Sequence, residues 1–166
     1  KIAPNGETIT LEPISKAFPM VRDLVVDRQK HFDQLKEIHG WIDIDGTHDL
    51  GAGPRMSPED AEVMYELSRC MSCGVCYEAC PNVNDKSPFM GPAIMSWVRR
   101  FNMHPTGKHF STERLEALMG EGGVNDCGNS QNCVKACPKG IPLTTSIAAM
   151  KRDTTYHGLI GFLQRP

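Results

Sequence analysis

No stretch of this 166-residue chain approaches the roughly 20 consecutive apolar residues that a membrane helix needs. The longest apolar run, Gly158 to Leu163, is short and is a candidate docking patch. Charge of one sign is also scarce. Lys and Arg number 18 against 20 Asp and Glu, a net charge of −2, and no basic helix offers nucleic acid a footing. No signal-peptide pattern opens the chain, and nothing resembles a nucleophile–base pair, so hydride and proton chemistry have no evident place here. The six histidines, His31, His39, His48, His104, His109 and His157, form no metal-ligand spacing and read as solvated surface residues. Of the two tryptophans, Trp97 falls in an apolar stripe and reads as core. The first residue is Lys1 rather than methionine, so a preceding N-terminal portion is expected.

Cysteine is what the chain does have, seven in two groups. Cys70, Cys73, Cys76 and Cys80, followed by Pro81, read C-x2-C-x2-C-x3-C-P. Cys127, Cys133 and Cys137, followed by Pro138, read C-x5-C-x3-C-P, the same pattern with Ser130 in place of its second cysteine. The compact triplet wraps a turn of backbone around one corner of an iron–sulfur cubane. The cysteine before proline lies too far along to reach that cubane and ligates the other cluster, as in two-cluster bacterial ferredoxins. Crossed in this way, Cys70, Cys73, Cys76 and Cys137 are expected to hold a 4Fe-4S cluster. Cys80, Cys127 and Cys133 are expected to hold a 3Fe-4S cluster, with Ser130 at the vacant ligand position. A serine alkoxide can also ligate iron, which keeps a fourth ligand open as an alternative. Structural zinc uses four ligands per ion in paired knuckles, and seven cysteines divide badly that way. A disulfide framework prefers an even count in a secreted protein, whereas free thiolates imply a reducing compartment.

The chain organises into one main unit with an appendage. Lys1 to Pro13 reads as an edge strand or two, with Asn5-Gly6 as a turn, and looks like the end of an upstream β-rich domain. The expected division is 1–26 for that remnant and 27–166 for a mainly α-helical part. Asp27 to Ile42 reads as a helix with Phe32, Leu35 and Ile38 on one face, followed by a glycine-rich loop from Asp43 to Met56. Ser57 caps the next helix, with Pro58 at its first position, and that helix delivers Cys70. Gly91-Pro92 opens another, with Ile94, Trp97, Val98 and Phe101 as its stripe. Ser111 or Thr112 caps a third, with Leu115, Leu118 and Met119 facing inward. Thr144 or Thr145 begins a last helix reaching about Arg152. Arg99 and Arg100 read as a solvated face; Lys139, beside a ligand, is a candidate electrostatic neighbour of a cluster.

The segments Cys70-Met-Ser-Cys-Gly-Val-Cys-Tyr-Glu-Ala-Cys80-Pro and Asp126-Cys-Gly-Asn-Ser-Gln-Asn-Cys133-Val-Lys-Ala-Cys137-Pro resemble the iron–sulfur subunits of succinate dehydrogenase and fumarate reductase. Arg22-Asp-Leu-Val-Val-Asp27 and Phe89-Met-Gly-Pro-Ala93 resemble the same family, in forms closest to those of Gram-positive-type bacteria. The resemblance implies an α-helical ferredoxin domain whose missing N-terminal neighbour, a plant-type ferredoxin domain, carries a 2Fe-2S cluster. It implies an electron-transfer subunit between an FAD-containing flavoprotein and a quinone at a cytochrome b-type membrane anchor, with room for haem b in that anchor. It implies a peripheral place on the cytoplasmic face of the bacterial inner membrane, and no nucleic acid. Pro81, Asn82, Gly128 and Asn129 fall at the quinone-proximal end. Ubiquinone-reducing relatives carry a tryptophan shortly after the Cys-Pro matching Cys80-Pro81 and a histidine after the position of Cys127. Here residues 82–90 hold no tryptophan and Gly128 follows Cys127, which points to menaquinone.

Three readings compete with a succinate-oxidising subunit. A fumarate reductase subunit differs mainly in direction, which cysteine spacing does not set. A cluster-dependent sensor would need a recognition element that the sequence does not display. A heterodisulfide-reductase-like subunit would carry a second complete C-x2-C-x2-C-x3-C-P, which Ser130 interrupts.

Overall fold

The computed structural model describes residues 8–14, 17–42 and 53–163. The architecture is mainly α, with one small antiparallel sheet near the N-terminus. The sheet pairs β1 (Met20–Arg22) with β2 (Val25–Val26), Met20 opposite Val26 and Arg22 opposite Val25, around a turn in which Asp23 adopts φ 48°. Of the strand expected within Lys1–Pro13, residues 8–13 are irregular and residues 1–7 lie outside the described ones. The pairing falls instead where Asp23 can take the left-handed conformation of a tight turn.

Helix α1 spans Gln29–Glu37, shorter at both ends than the hydrophobic pattern suggests. Phe32, read as part of its buried face, is 49% exposed, whereas His31, read as a surface residue, is buried with Ile38. The loop expected from Asp43 lies outside the described residues as far as residue 52. Helix α2 (Pro58–Ser68) begins as its sequence dictates. The Ser57 side chain accepts from the Asp60 N–H at 3.1 Å, Pro58 occupies the first position, and Glu59 and Asp60 meet the helix dipole. Then come α3 (Val75–Glu78) and α4 (Pro92–Met103). Ile94, Met95 and Val98 of α4 are fully buried, so this helix forms the spine of the core.

A 3-10 turn at Gly107–Phe110 runs directly into α5 (Ser111–Met119), so neither Ser111 nor Thr112 caps it. Leu118 packs inward, Met119 is exposed, and as deeply buried as Leu118 is Arg114. Its guanidinium donates to the carbonyls of His39, Trp41 and Gly107 and to Asn102 Oδ1 at 2.6–3.0 Å, and lies 5.4 Å from the Phe101 ring centre. That clasp joins the chain after α1 to α4 and α5. After α6 (Asn132–Ala136), the last helix, α7, continues past Arg152 to span Leu143–Leu163. Its first half is buried through Ile147 and Met150, while Leu159, Ile160, Phe162 and Leu163 are exposed. Arg99 and Arg100 are half-buried rather than solvated. Arg99 donates to Ser146 Oγ, and Arg100 covers the Trp97 ring, which is itself packed against the core.

Two cysteine-lined cavities as candidate cluster sites

Each cysteine group sits on a short loop that feeds a short helix. Cys70 follows the C-cap of α2; Ser72 and Gly74 adopt left-handed φ values of 51° and 84°; Gly74 is the N-cap of α3, which carries Cys76; Cys80 and Pro81 follow α3. In the second group, a 3-10 turn at Val124–Asp126 leads to Cys127. Asn129 and Gln131 adopt φ values of 56° and 61°, and Gln131 is the N-cap of α6, which carries Cys133. Cys137 ends α6 in an extended conformation, φ −67° and ψ 116°, as a residue preceding proline should.

The folded chain sorts the seven thiols across the two groups. Cys70, Cys73, Cys76 and Cys137 line one cavity, walled by Ala93, Ile141 and Leu143. Cys80, Cys127 and Cys133 line a second, together with Ser130, Asn82 and Gly128. Asn129 lines this second cavity too, whereas Pro81 does not. All seven are free thiols. Among the described residues, no three His, Cys, Asp or Glu side chains converge as a single metal ion requires. The thiols instead surround a space, the arrangement expected around a multi-atom cluster rather than one zinc ion bound at about 2.3 Å.

The thiols act on one another both within and across the two cavities. Burial, followed by the neighbouring Cys70, Cys73, Cys133 and Cys137, pushes the Cys76 thiol up to about 12. Burial raises Cys133 as well, with Cys80 and Cys127 adding to the rise and backbone N–H groups opposing it. Thiols crowded in this way ionise together only when a positive centre sits among them, which is what iron supplies. An all-sulfur donor set around each cavity is the chemistry that iron–sulfur binding needs.

Several side chains that spacing alone does not single out support the loops. Lys151 of α7 donates to the Cys127 carbonyl at 3.2 Å. Asn82 Nδ2 donates to the Asp126 carbonyl at 2.8 Å, and Asp126 Oδ2 accepts from the Gly122 N–H at 2.8 Å. Phe18 covers Gly74, where a Cβ would run into its ring. Of these, Gly74 is the one with a local signal, since glycine readily takes the left-handed conformation. Lys139 is exposed and lines the first cavity. Of the histidines, His31 is buried with Nδ1 3.2 Å from the Tyr77 hydroxyl, His104 Nδ1 accepts from the Thr106 and Gly107 N–H groups, and His48 lies outside the described residues.

A helical domain that presents two adjoining thiol-lined cavities defines a class, the two-cluster iron–sulfur domain. Residues 66–141 match the model of the 4Fe-4S dicluster domain. The succinate dehydrogenase iron–sulfur subunit of Bacillus subtilis is 64% identical over 156 residues, covering 94% of this chain and 61% of the relative. The fumarate reductase iron–sulfur subunit of Wolinella succinogenes is 33% identical over 146 residues, covering 87% of this chain and 61% of the relative. The fold superimposes on a chain of the Mycobacterium smegmatis Sdh1 complex in the apo form with a TM-score of 0.71 at 28% identity, over 90% of this chain and 62% of that one. Over most of its length the chain is similar to the iron–sulfur subunits of succinate dehydrogenase and fumarate reductase. It spans about three fifths of the length of these relatives.

Proposed function

We propose that this chain is the two-cluster part of the electron-transfer subunit of a succinate:quinone oxidoreductase. The observation that carries the reading is the sorting of seven cysteines into a four-thiol and a three-thiol cavity, each drawing on both sequence groups. Cys70, Cys73, Cys76 and Cys137 would hold a 4Fe-4S cluster, and Cys80, Cys127 and Cys133 a 3Fe-4S cluster. The clusters supply one-electron carriers between an FAD flavoprotein and a quinone in a cytochrome b-type anchor.

The chain's own residues then have distinct work. Ala93, Ile141 and Leu143 wall the four-thiol cavity with apolar surface. The other cavity lies under an exposed loop, Gly128–Asn132, which is the natural exit toward a membrane partner. There Lys151 fixes an ammonium at the Cys127 carbonyl, and Asn82 ties the loop base to Asp126. Among the described residues no helix is long and apolar enough to cross a membrane, so a separate anchor would supply the quinone's surroundings. Menaquinone is the acceptor this reading favours, since Gly128 and residues 82–90 lack the histidine and tryptophan of ubiquinone-type relatives. A 2Fe-2S cluster in a preceding domain would complete the route. The fumarate reductase relatives support the same wiring run in reverse; the 64% identity to a succinate dehydrogenase subunit favours succinate oxidation.

The test is Gly128→Ile in the intact complex. A Cβ at Gly128 would stand 3.0 Å from Asn82 Oδ1, so the larger side chain displaces Asn82 and reshapes this face alone. Quinone reduction by succinate should fall at least several-fold while succinate–dye activity holds. Equal loss of both would place this face away from the exit. Turnover with ubiquinone and none with menaquinone would overturn the acceptor.

A further inference from the structure

Arg28, at the N-cap of α1, belongs to neither set of cavity residues, yet it grips the loop of one of them. Its Nη2 donates to the Ser72 carbonyl at 2.7 Å, and its guanidinium lies 5.5 Å from the Phe18 ring centre and 5.6 Å from that of Phe32. Ser72 is the left-handed residue just before Cys73, a costly conformation for a serine. On the other side of Cys73, Phe18 closes over left-handed Gly74. One upstream segment, from Phe18 to Arg28, therefore secures both residues flanking Cys73. Asn129 and Gln131, at the same places in the second loop, are exposed and carry no such cover.

The charge matters as much as the grip. Ser72 and Cys73 line the four-thiol cavity, so the guanidinium stands beside that cavity. Arg28 also acts electrostatically on His31 and on Tyr77, the residue following Cys76. A fixed cation favours whichever state of a nearby centre holds the extra electron.

We infer that Arg28 is a positioning residue for the site of Cys70, Cys73, Cys76 and Cys137. It pins the Cys73 turn and raises the reduction potential of that site without acting on the three-thiol site. The inference rests on the ligand assignment proposed above.

The experiment is an EPR-monitored redox titration of the intact complex, with iron counted per chain, for wild type, Arg28→Gln and Arg28→Lys. Lysine keeps the charge but loses the planar fork and the stacking on two rings. In Arg28→Gln the tetranuclear midpoint should fall or the tetranuclear signal be lost. In Arg28→Lys the change should be smaller, and the trinuclear midpoint should be the same in all three proteins. The wild-type spectrum tests the ligand assignment by itself: without a tetranuclear and a trinuclear signal, that assignment fails. Given both signals, an Arg28→Gln tetranuclear midpoint equal to wild type overturns the role of Arg28. An equal disturbance of both signals overturns it too, since that marks general loosening. If Arg28→Gln does not assemble, Arg28→Lys decides by the same contrast between the two signals.

Discussion

In the loop from Cys70 to Cys76 the residues on either side of the central position, Ser72 and Gly74, both lie in the left-handed region. In the loop from Cys127 to Cys133 the residues at the same places, Asn129 and Gln131, lie there too. A short helix starts at the next residue in each case, at Val75 and at Asn132. The two loops thus share one path, and between their left-handed residues one carries Cys73 and the other Ser130. What surrounds them differs. Phe18 and Arg28 cover the first loop, whereas residues 128–132 of the second are exposed. The comparison teaches that serine stands in place of cysteine on a shared backbone path, in the loop left open to solvent.

The sharpest way to break this comparison is to remove the residue that crosses between the groups. Cys137→Ala should abolish the tetranuclear signal and cut iron from about seven to about three per chain, although Cys137 follows the second loop in sequence. Loss of only the trinuclear signal would show that the thiols ligate group by group. A smaller change restores the match. Ser130→Cys places a thiol between two residues already in the required conformation. The oxidised-state trinuclear EPR signal should vanish, iron should rise to about eight per chain, and the potential of that site should drop. A trinuclear signal identical to wild type would mean that position 130 does not face the open corner.

The smallest effects probe the backbone itself. Gly74→Ala combines a left-handed alanine with a collision against Phe18, and should cost about 2–4 kcal/mol in a denaturation series. Gln131→Gly relieves the same conformation where nothing packs over it, and should stabilise by about 0.5–1 kcal/mol. Effects of equal size and sign at the two positions would erase the distinction between a covered loop and an open one.

What the sequence made legible was local. The cysteine spacing predicts the crossed sets that the folded chain gathers, and Ser57-Pro58 and Gly91-Pro92 mark helix starts within a residue of where they fall. These signals need only neighbours along the chain. Arg114 was not legible, because an arginine on a helix reads as surface until the carbonyls of residues 39, 41 and 107 converge on it. His31 is the same case: its partner, Tyr77, comes from a distant helix. The last helix, expected to reach about Arg152, continues as α7 through Gly158 and Gly161, each glycine costing only about 1 kcal/mol against a helix already anchored by its buried first half. The inward pattern of α5 misplaced Met119, which lies beside the exposed end of α7 where little covers it. The supporting contacts of the cavities, Lys151 on Cys127 and Arg28 on Ser72, are likewise products of tertiary packing that spacing cannot encode.

The meeting of Cys76 with Cys137 in one cavity sets a clock on biogenesis. A nascent chain that has emerged only as far as Cys80 displays four cysteines, but not the four that end up together. At about 5–20 residues per second, the ribosome delivers the last member roughly 3–12 s after the third. On the ligation proposed above, the first loop alone is an incomplete cradle during that interval, and cluster loading follows the folding of nearly the whole helical part.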